Sequence, residues 1–313
     1  MPPVDRNNPE RAASSDSTFS LMEFMHDYPD DATCLEWLWR TRLAPDGTHA
    51  VCPRCEVTRE FKRYTTAQQR QSWTCTTCGH HVHPTAGTIF HKSSTSLHLW
   101  FYAMYLMSST RCGISAKQLE RELGVTYKTA WRMFNLIRNE LMHQDDEVLQ
   151  GEVEADETYV GGRRKGRAGR PGAADRGKKT PVFGMVERQG RVVALTVDNA
   201  KGTTLMPHMR KRVLPASVVY TDEWGGYNEA KRSGYDHRRI NHAEGVYVVG
   251  DVHTNTIEGF WSLVKSGIRG SHHAVSAKWL QGYLNEYAWR YNHRGDRRGM
   301  FLLLILRAAQ TTP

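Results

Sequence analysis

The sequence predicts a multidomain α/β protein, with two small modules ahead of a larger domain built on a mixed sheet flanked by helices. Three observations carry this. Two Cys-x-x-Cys pairs, Cys52/Cys55 and Cys75/Cys78, bracket a strand-like stretch. Helical periodicity interrupted at Gly124 follows. From Glu152 onward, β-branched runs alternate with amphipathic ones. A chain of 313 residues is long enough for more than one core, and its formal charge of +9 suits an acidic polymer as partner.

Residues 1–18 are polar and rich in Pro and Ser, and read as a disordered tail rather than a secretory leader. The longest apolar run, Phe301 to Leu306, is too short to cross a bilayer. No membrane partner is therefore expected, and a cytoplasmic location is. Four of the six cysteines form the two pairs, which is metal-binding usage in a reducing compartment rather than a disulfide framework.

Residues 19–92 are expected to hold an N-terminal helix and a zinc ribbon. Leu35, Leu38 and Trp39 recur at helical spacing after the Asp30-Asp31 start signal, and Cys34 on this helix reads as a buried thiol. Four thiolates bind Zn²⁺ tetrahedrally, and each Cys-x-x-Cys turn brings two sulfurs to one side of the ion. Cys52, Cys55, Cys75 and Cys78 are thus the expected ligands of a structural zinc. His80, His81 and His83 are possible substitutes. A redox pair is the competing reading, but that chemistry uses one motif in a βα setting, not two matched ones.

Residues 93–143 read as a helix-turn-helix domain. A first helix (Ser115 to Leu123), a turn at Gly124-Val125 and a second helix opening at Thr126 place Tyr127, Lys128, Thr129 and Arg132 where a recognition helix meets DNA. An ordinary helical hairpin with solvated Lys and Arg is the alternative.

Residues 151–305 read as the third domain. Strands are expected at 152–160, 181–190, 191–199, in the buried run from Ser217 ending in Asp222 and in His237 to His242. Helices are expected at 203–214, with Pro207 in its first turn, at 225–234 as a short one, at 255–268 and at Ser276 to Asn292. Three consecutive strands, a helix, a strand, a helix, a strand and then helices is the order of an RNase H-like fold. The insertion 163–180 carries Arg163, Arg164, Lys165, Arg167, Arg170, Arg176, Lys178 and Lys179 against one acid, Asp175. Its expected partner is the phosphate backbone, a solvated loop tip being the alternative. The segment from Gly259 onward is basic as well, with Lys265 and Arg269 as expected DNA contacts.

Three acids end or open patterned segments: Asp156 and Asp222 close strands, and Glu258 opens a helix. Carboxylate oxygens suit Mg²⁺ or Mn²⁺, and two such ions hold attacking and leaving oxygens in line across a phosphorus. Pattern alone leaves rivals open. Glu154 shares a strand face with Asp156, Glu157 faces away, Glu223 neighbours Asp222, and Asp198 ends another strand.

The pieces Cys-Pro-Arg-Cys…Cys-Thr-Thr-Cys, TAGTIFHKSSTSLHLWFYAMYLM, GVTYKTAWRM, EADETYVGG, VVYTDEWGGYN and HTNTIEGFWSLVKSGIRGSHH, with their continuation to Arg294, resemble bacterial insertion-sequence transposases of the DDE superfamily, in the ISXO-two-like group with an N-terminal zinc ribbon. The resemblance covers roughly residues 20–305. It implies Asp156, Asp222 and Glu258 as the catalytic triad and Mg²⁺ or Mn²⁺, two ions, as cofactor. His253 and Asn255 are implied at the edge of the site, as phosphate or metal-water contacts. It implies cleavage at transposon ends and transfer of the 3′-hydroxyl into target DNA, on double-stranded terminal repeats and target, by a homodimer assembled on DNA. A catalytically silent DNA-binding regulator and a nuclease that cuts without joining are the competing functions.

Overall fold

The computed structural model describes residues 19–65, 71–110, 112–144, 148–161, 179–222, 225–227, 229–239, 253–296 and 299–310. These fall into two compact units, one within Met1–Arg111, Ala116–Leu141 and Arg294–Pro313, the other within Cys112–Ser115 and Met142–His293.

The first unit opens with α1 (Leu21–Asp27), whose start is held by a reciprocal capping box between Ser20 and Glu23. In α2 (Asp31–Arg42) the Asp30 carboxylate caps Thr33 N–H at 2.7 Å. Four antiparallel strands follow in the order β1 (His49–Val51), β2 (Thr58–Thr65), β3 (Gln71–Cys75) and β4 (His81–Val82). Trp39 of α2 stacks on Trp73 of β3 with centroids 4.7 Å apart and also meets Phe61 of β2, which ties the helix to the small sheet. Next come α3 (Leu97–Ser109), α4 (Ala116–Leu123) and α5 (Tyr127–Leu136), the last running into a π turn at Ile137–Leu141. Between α4 and α5, Gly124 has φ +63°, the left-handed geometry a tight reversal needs.

The second unit is a five-stranded mixed sheet. Its strands are β5 (Glu152–Val160), β6 (Thr180–Glu187), β7 (Val192–Thr196), β8 (Val218–Thr221) and β9 (Asp236–Arg239), arranged β7-β6-β5-β8-β9. Strand β6 is antiparallel to both β5 and β7, while β8 and β9 run parallel to β5. The order of the strands along the chain is the one anticipated from the sequence, but the short helix expected between β8 and β9 is replaced, among the described residues, by two 3₁₀ turns at Gly225–Tyr227 and Lys231–Ser233. Helix α6 (Gly202–Arg212) packs with Val153, Ala155, Phe183, Met185 and Val219 on one face. Helices α7 (Asn255–Gly267) and α8 (Ala277–Asn292) cover Val182, Val186 and Ala194 on the other. Pro207 lies in the second turn of α6, not the first, because the helix begins as far back as Gly202.

The outer edge of β7 is closed by side-chain amides. Asn292 pairs with the N–H and C=O of Val192, and Gln144 with those of Ala194. Gln281 accepts from Thr196 N–H. These groups satisfy the row of backbone polar atoms that an edge strand otherwise presents.

The last helix, α9 (Met300–Gln310), belongs to the first unit. Its Phe301 sits among Phe19, Phe24, Tyr28, Phe101 and Tyr105. The apolar run at Phe301 to Leu306 therefore completes an aromatic core of the N-terminal unit, rather than the end of the sheet domain to which chain order assigned it.

Candidate active site

Alternation along β5 turns Glu154 and Asp156 toward α7, and Val153, Ala155 and Glu157 toward α6. Asp156 sits in the middle of β5 rather than closing the strand as expected, because the pairing with β6 continues to Val160, and it lies opposite Gly184 of β6. A Cβ at Gly184 would fall 2.4 Å from Trp261 Cζ2, so the indole occupies the space that a side chain there would take. The Trp261 Nε1–H donates to Asp156 Oδ2 at 2.9 Å. Burial, followed by the charges of Glu157 and Asp222, pushes the Asp156 carboxyl up to about 7, with the indole donor acting in the opposite direction.

Asp222 follows β8 and is partly buried. Its charge is felt at Asp156, at Glu157 and at the Tyr227 phenol, which puts all four groups in one electrostatic neighbourhood. On the α6 side, Tyr227 O–H donates to Glu157 Oε2 at 2.5 Å. Burial raises the Glu157 carboxyl, and burial together with Glu157 holds the phenol well above its ordinary range.

Glu258 is exposed in the first turn of α7, one turn before Trp261. Its Oε1 accepts from the Thr254 hydroxyl at 3.2 Å. Glu154 has a contrasting environment. It is 0 % exposed, and its carboxylate accepts from Thr256 N–H (2.8 Å), Ile257 N–H (3.0 Å), Thr256 Oγ1 (3.0 Å) and Arg188 Nε (2.9 Å). The Arg188 guanidinium lies 4.0 Å over the Tyr220 ring and donates to the His253 carbonyl at 2.8 Å. His253 Nδ1 is 3.3 Å from Glu154 Oε1, but the angles there do not make a hydrogen bond. His253 thus faces Glu154, and Asn255 is the exposed first residue of α7.

The four cysteines converge. Cys52, Cys55, Cys75 and Cys78 place their sulfurs within 4.8 Å of one another, with Cys52 and Cys78 Sγ 3.5 Å apart. A tetrahedral ion with Zn–S near 2.3 Å needs sulfurs about 3.8 Å apart, so the donor set fits zinc. Each knuckle closes through a residue of positive φ, Glu56 and Gly79, whose N–H groups return to the carbonyls of Cys52 and Cys75. Among the described residues, no group of acids meets that 4.8 Å distance.

The family model and the sequence relatives agree with one another. Residues 148–292 match the model of the ISXO2-like transposase domain. An uncharacterized protein in transposable element ISH50 of Halobacterium salinarum is 30% identical over 252 residues, covering 76% of this chain and 84% of that protein. The chain belongs to the ISXO2-like insertion-sequence transposases. An uncharacterized transposase-like protein of Haemophilus influenzae is 31% identical over 103 residues, 33% of this chain and 82% of that one. A solved pre-cleavage Mos1 transpososome is matched at 11% identity with a TM-score of 0.25, covering 63% of this chain and 74% of that chain, a likeness too weak to carry structural inference.

In this ISXO2-like chain the remaining sequence candidates scatter. Tyr127, Lys128 and Arg132 are exposed on α5, whereas Thr129 is partly buried and gives its N–H to the Thr126 cap. Lys179 and Arg269 are exposed and Lys265 is partly buried. Arg163, Arg164, Lys165, Arg167, Arg170 and Lys178 lie outside the described residues. Sequence reasoning did not single out Trp261, Gly184, Thr254, Arg188 or Tyr227. A signal existed for one of them: a glycine inside the apolar run Pro181 to Val186 marks a close approach.

Proposed function

We propose that the chain is a DDE transposase with an RNase H-like catalytic domain, which cleaves DNA at transposon ends and transfers the 3′-hydroxyl into target DNA. The observation that carries the reading is the convergence of three elements. Asp156 senses the charge of Asp222, and the helix that carries Glu258 in its first turn donates its Trp261 N–H to Asp156. Crowded carboxylates that resist ionisation are what a divalent cation relieves, and their oxygens are the hard donors that Mg²⁺ and Mn²⁺ take. Asp156, Asp222 and Glu258 would hold the metal. When bound, a pair of such ions activates the attacking water or 3′-hydroxyl and neutralises the departing oxygen. The residues of the chain do the placing. Trp261 fixes which Asp156 oxygen stays open, and Thr254 restrains Glu258.

In the same reading Cys52, Cys55, Cys75 and Cys78 hold a structural Zn²⁺. The pair α4 and α5 acts as a helix-turn-helix, presenting Tyr127, Lys128 and Arg132 to double-stranded DNA. His253 and Asn255 flank the site. Joining two ends calls for a homodimer on DNA, working in the cytoplasm. No helix among the described residues is long and apolar enough to cross a membrane.

The test is an assay with Mn²⁺ and duplexes carrying the element's terminal repeats. Nicking that frees 3′-ends, followed by joined products, is the expected result. Hydrolysis without joining would replace the reading with a nuclease, and specific binding without either step would replace it with a silent regulator.

A further inference from the structure

Helix α7 lacks a cap of its own. Its N-cap residue is Thr254, a residue type that ordinarily turns its hydroxyl back onto the second or third helical N–H, yet here it makes no such bond. Those two N–H groups, on Thr256 and Ile257, instead go to Glu154, a strand residue 102 and 103 positions earlier in the chain. A buried carboxylate at a helix N-terminus also meets the positive end of the helix dipole. Arg188 balances its charge from the other side, at 2.9 Å, and ties the segment before the helix through the His253 carbonyl. The Thr254 hydroxyl, relieved of capping, reaches one turn along the helix to Glu258 Oε1.

We propose that Glu154 and Thr254 are positioning residues for Glu258: Glu154 caps α7 from the neighbouring strand, and this frees the Thr254 hydroxyl to hold the Glu258 carboxylate in place. The inference rests on the reading of Glu258 as catalytic. It also explains why two acids on one face of β5 have unlike roles. Glu154 is saturated with donors and spends its charge on the helix, whereas Asp156, two residues on, has one side-chain donor and remains available to the reaction.

The test uses the full chain with terminal-repeat duplexes and Mn²⁺. Thr254→Val removes the hydroxyl at constant shape. The single-turnover cleavage rate should fall about tenfold, with the DNA concentration for half-saturation and the thermal midpoint unchanged, and Thr254→Ser should restore the rate. A Thr254→Val protein that cleaves at the wild-type rate, or that loses thermal stability as a helix does when uncapped, overturns the inference. Glu154→Gln should accelerate amide hydrogen exchange at Thr256 and Ile257 selectively; unaltered exchange there in the folded variant overturns the capping role. If that variant does not fold, the Thr254 pair still decides. Glu258→Gln separates the two levels. If it cleaves normally, the functional reading fails. If it is inactive while Thr254→Val is normal, the functional reading stands and the positioning inference falls.

Discussion

The indole of Trp261 donates to Asp156 Oδ2 at 2.9 Å, and it reaches that oxygen through the space left by Gly184 on the adjacent strand. Adding a methyl group at 184 must displace the indole, since the new atom would lie 2.4 Å from it. Gly184→Ala is expected to destabilise the protein by about 1–3 kcal/mol, as overpacking does, and to lower cleavage by at least about tenfold through the loss of Asp156 alignment. Trp261→Phe should spare most of the packing and still lose cleavage. Thermal melts read the first effect and single-turnover kinetics the second. A fully active Gly184→Ala protein would mean that the indole contact has no part in the site.

The Asp156 carboxyl, raised to about 7 from an ordinary 3.8, makes metal-free stability depend on pH. Between those values the folded state holds a proton that the unfolded chain has released. Stability supplied by the protonated acid is therefore complete below about pH 4 and is lost as pH rises toward 7. Asp156→Asn removes this slope and should be more stable than the wild type at pH 8, by an amount on the order of a few kcal/mol. Urea titrations in EDTA at several pH values check both statements. Mn²⁺ should reverse the sign, since it favours the ionised form.

Zinc should be stoichiometric and structural. Mercurial titration is expected to release one zinc per chain. Cys75→Ala should abolish that release and unfold β1 to β4, because so small a sheet has little apolar core without the metal.

The amide-covered edge of β7 makes a separate prediction. Asn292→Ala strips both backbone partners from Val192. A loss of about 1–2 kcal/mol is expected, together with concentration-dependent aggregation as the strand edge is opened. Denaturant melts and light scattering measure the two.

Lys128 is exposed on the first turn of α5. If it contacts a phosphate, Lys128→Ala should weaken binding to specific and nonspecific duplexes alike. It should also reduce the log–log salt slope by about 0.9. An unchanged slope would remove Lys128 from the interface.

Much of this was legible from residue patterns, and the exceptions have physical causes. The strands of the mixed sheet announce themselves through β-branched runs, and the cysteine pairs through their spacing. The second helix opens at Thr126 as its position suggested, with the Thr126 hydroxyl capping Thr129 N–H. The tie between Glu154 and Asp156 was not resolvable, because a period of two puts both on one face. What separates them is the number of donors each meets, and those come from α7, a hundred residues away, and from Arg188. The part played by Thr254 was not visible, because local rules cannot see a strand carboxylate arriving from outside to cap the helix in its place. The placing of α9 failed for a similar reason: an apolar helix shows that it needs a partner without saying which unit supplies it. Phe301 finds its partners among aromatic residues from the beginning of the chain.

The central claim is that Asp156, Asp222 and Glu258 serve one metal-dependent site. It is tested most directly by loading the chain, bound to a terminal-repeat duplex, with Fe²⁺ in place of Mg²⁺ and mapping where hydroxyl radicals cut the polypeptide. Cuts clustered at mid-β5, the end of β8 and the first turn of α7, all lost in Asp222→Asn, are the expected result. Cuts at other positions, or the same pattern in Asp222→Asn, would contradict the claim.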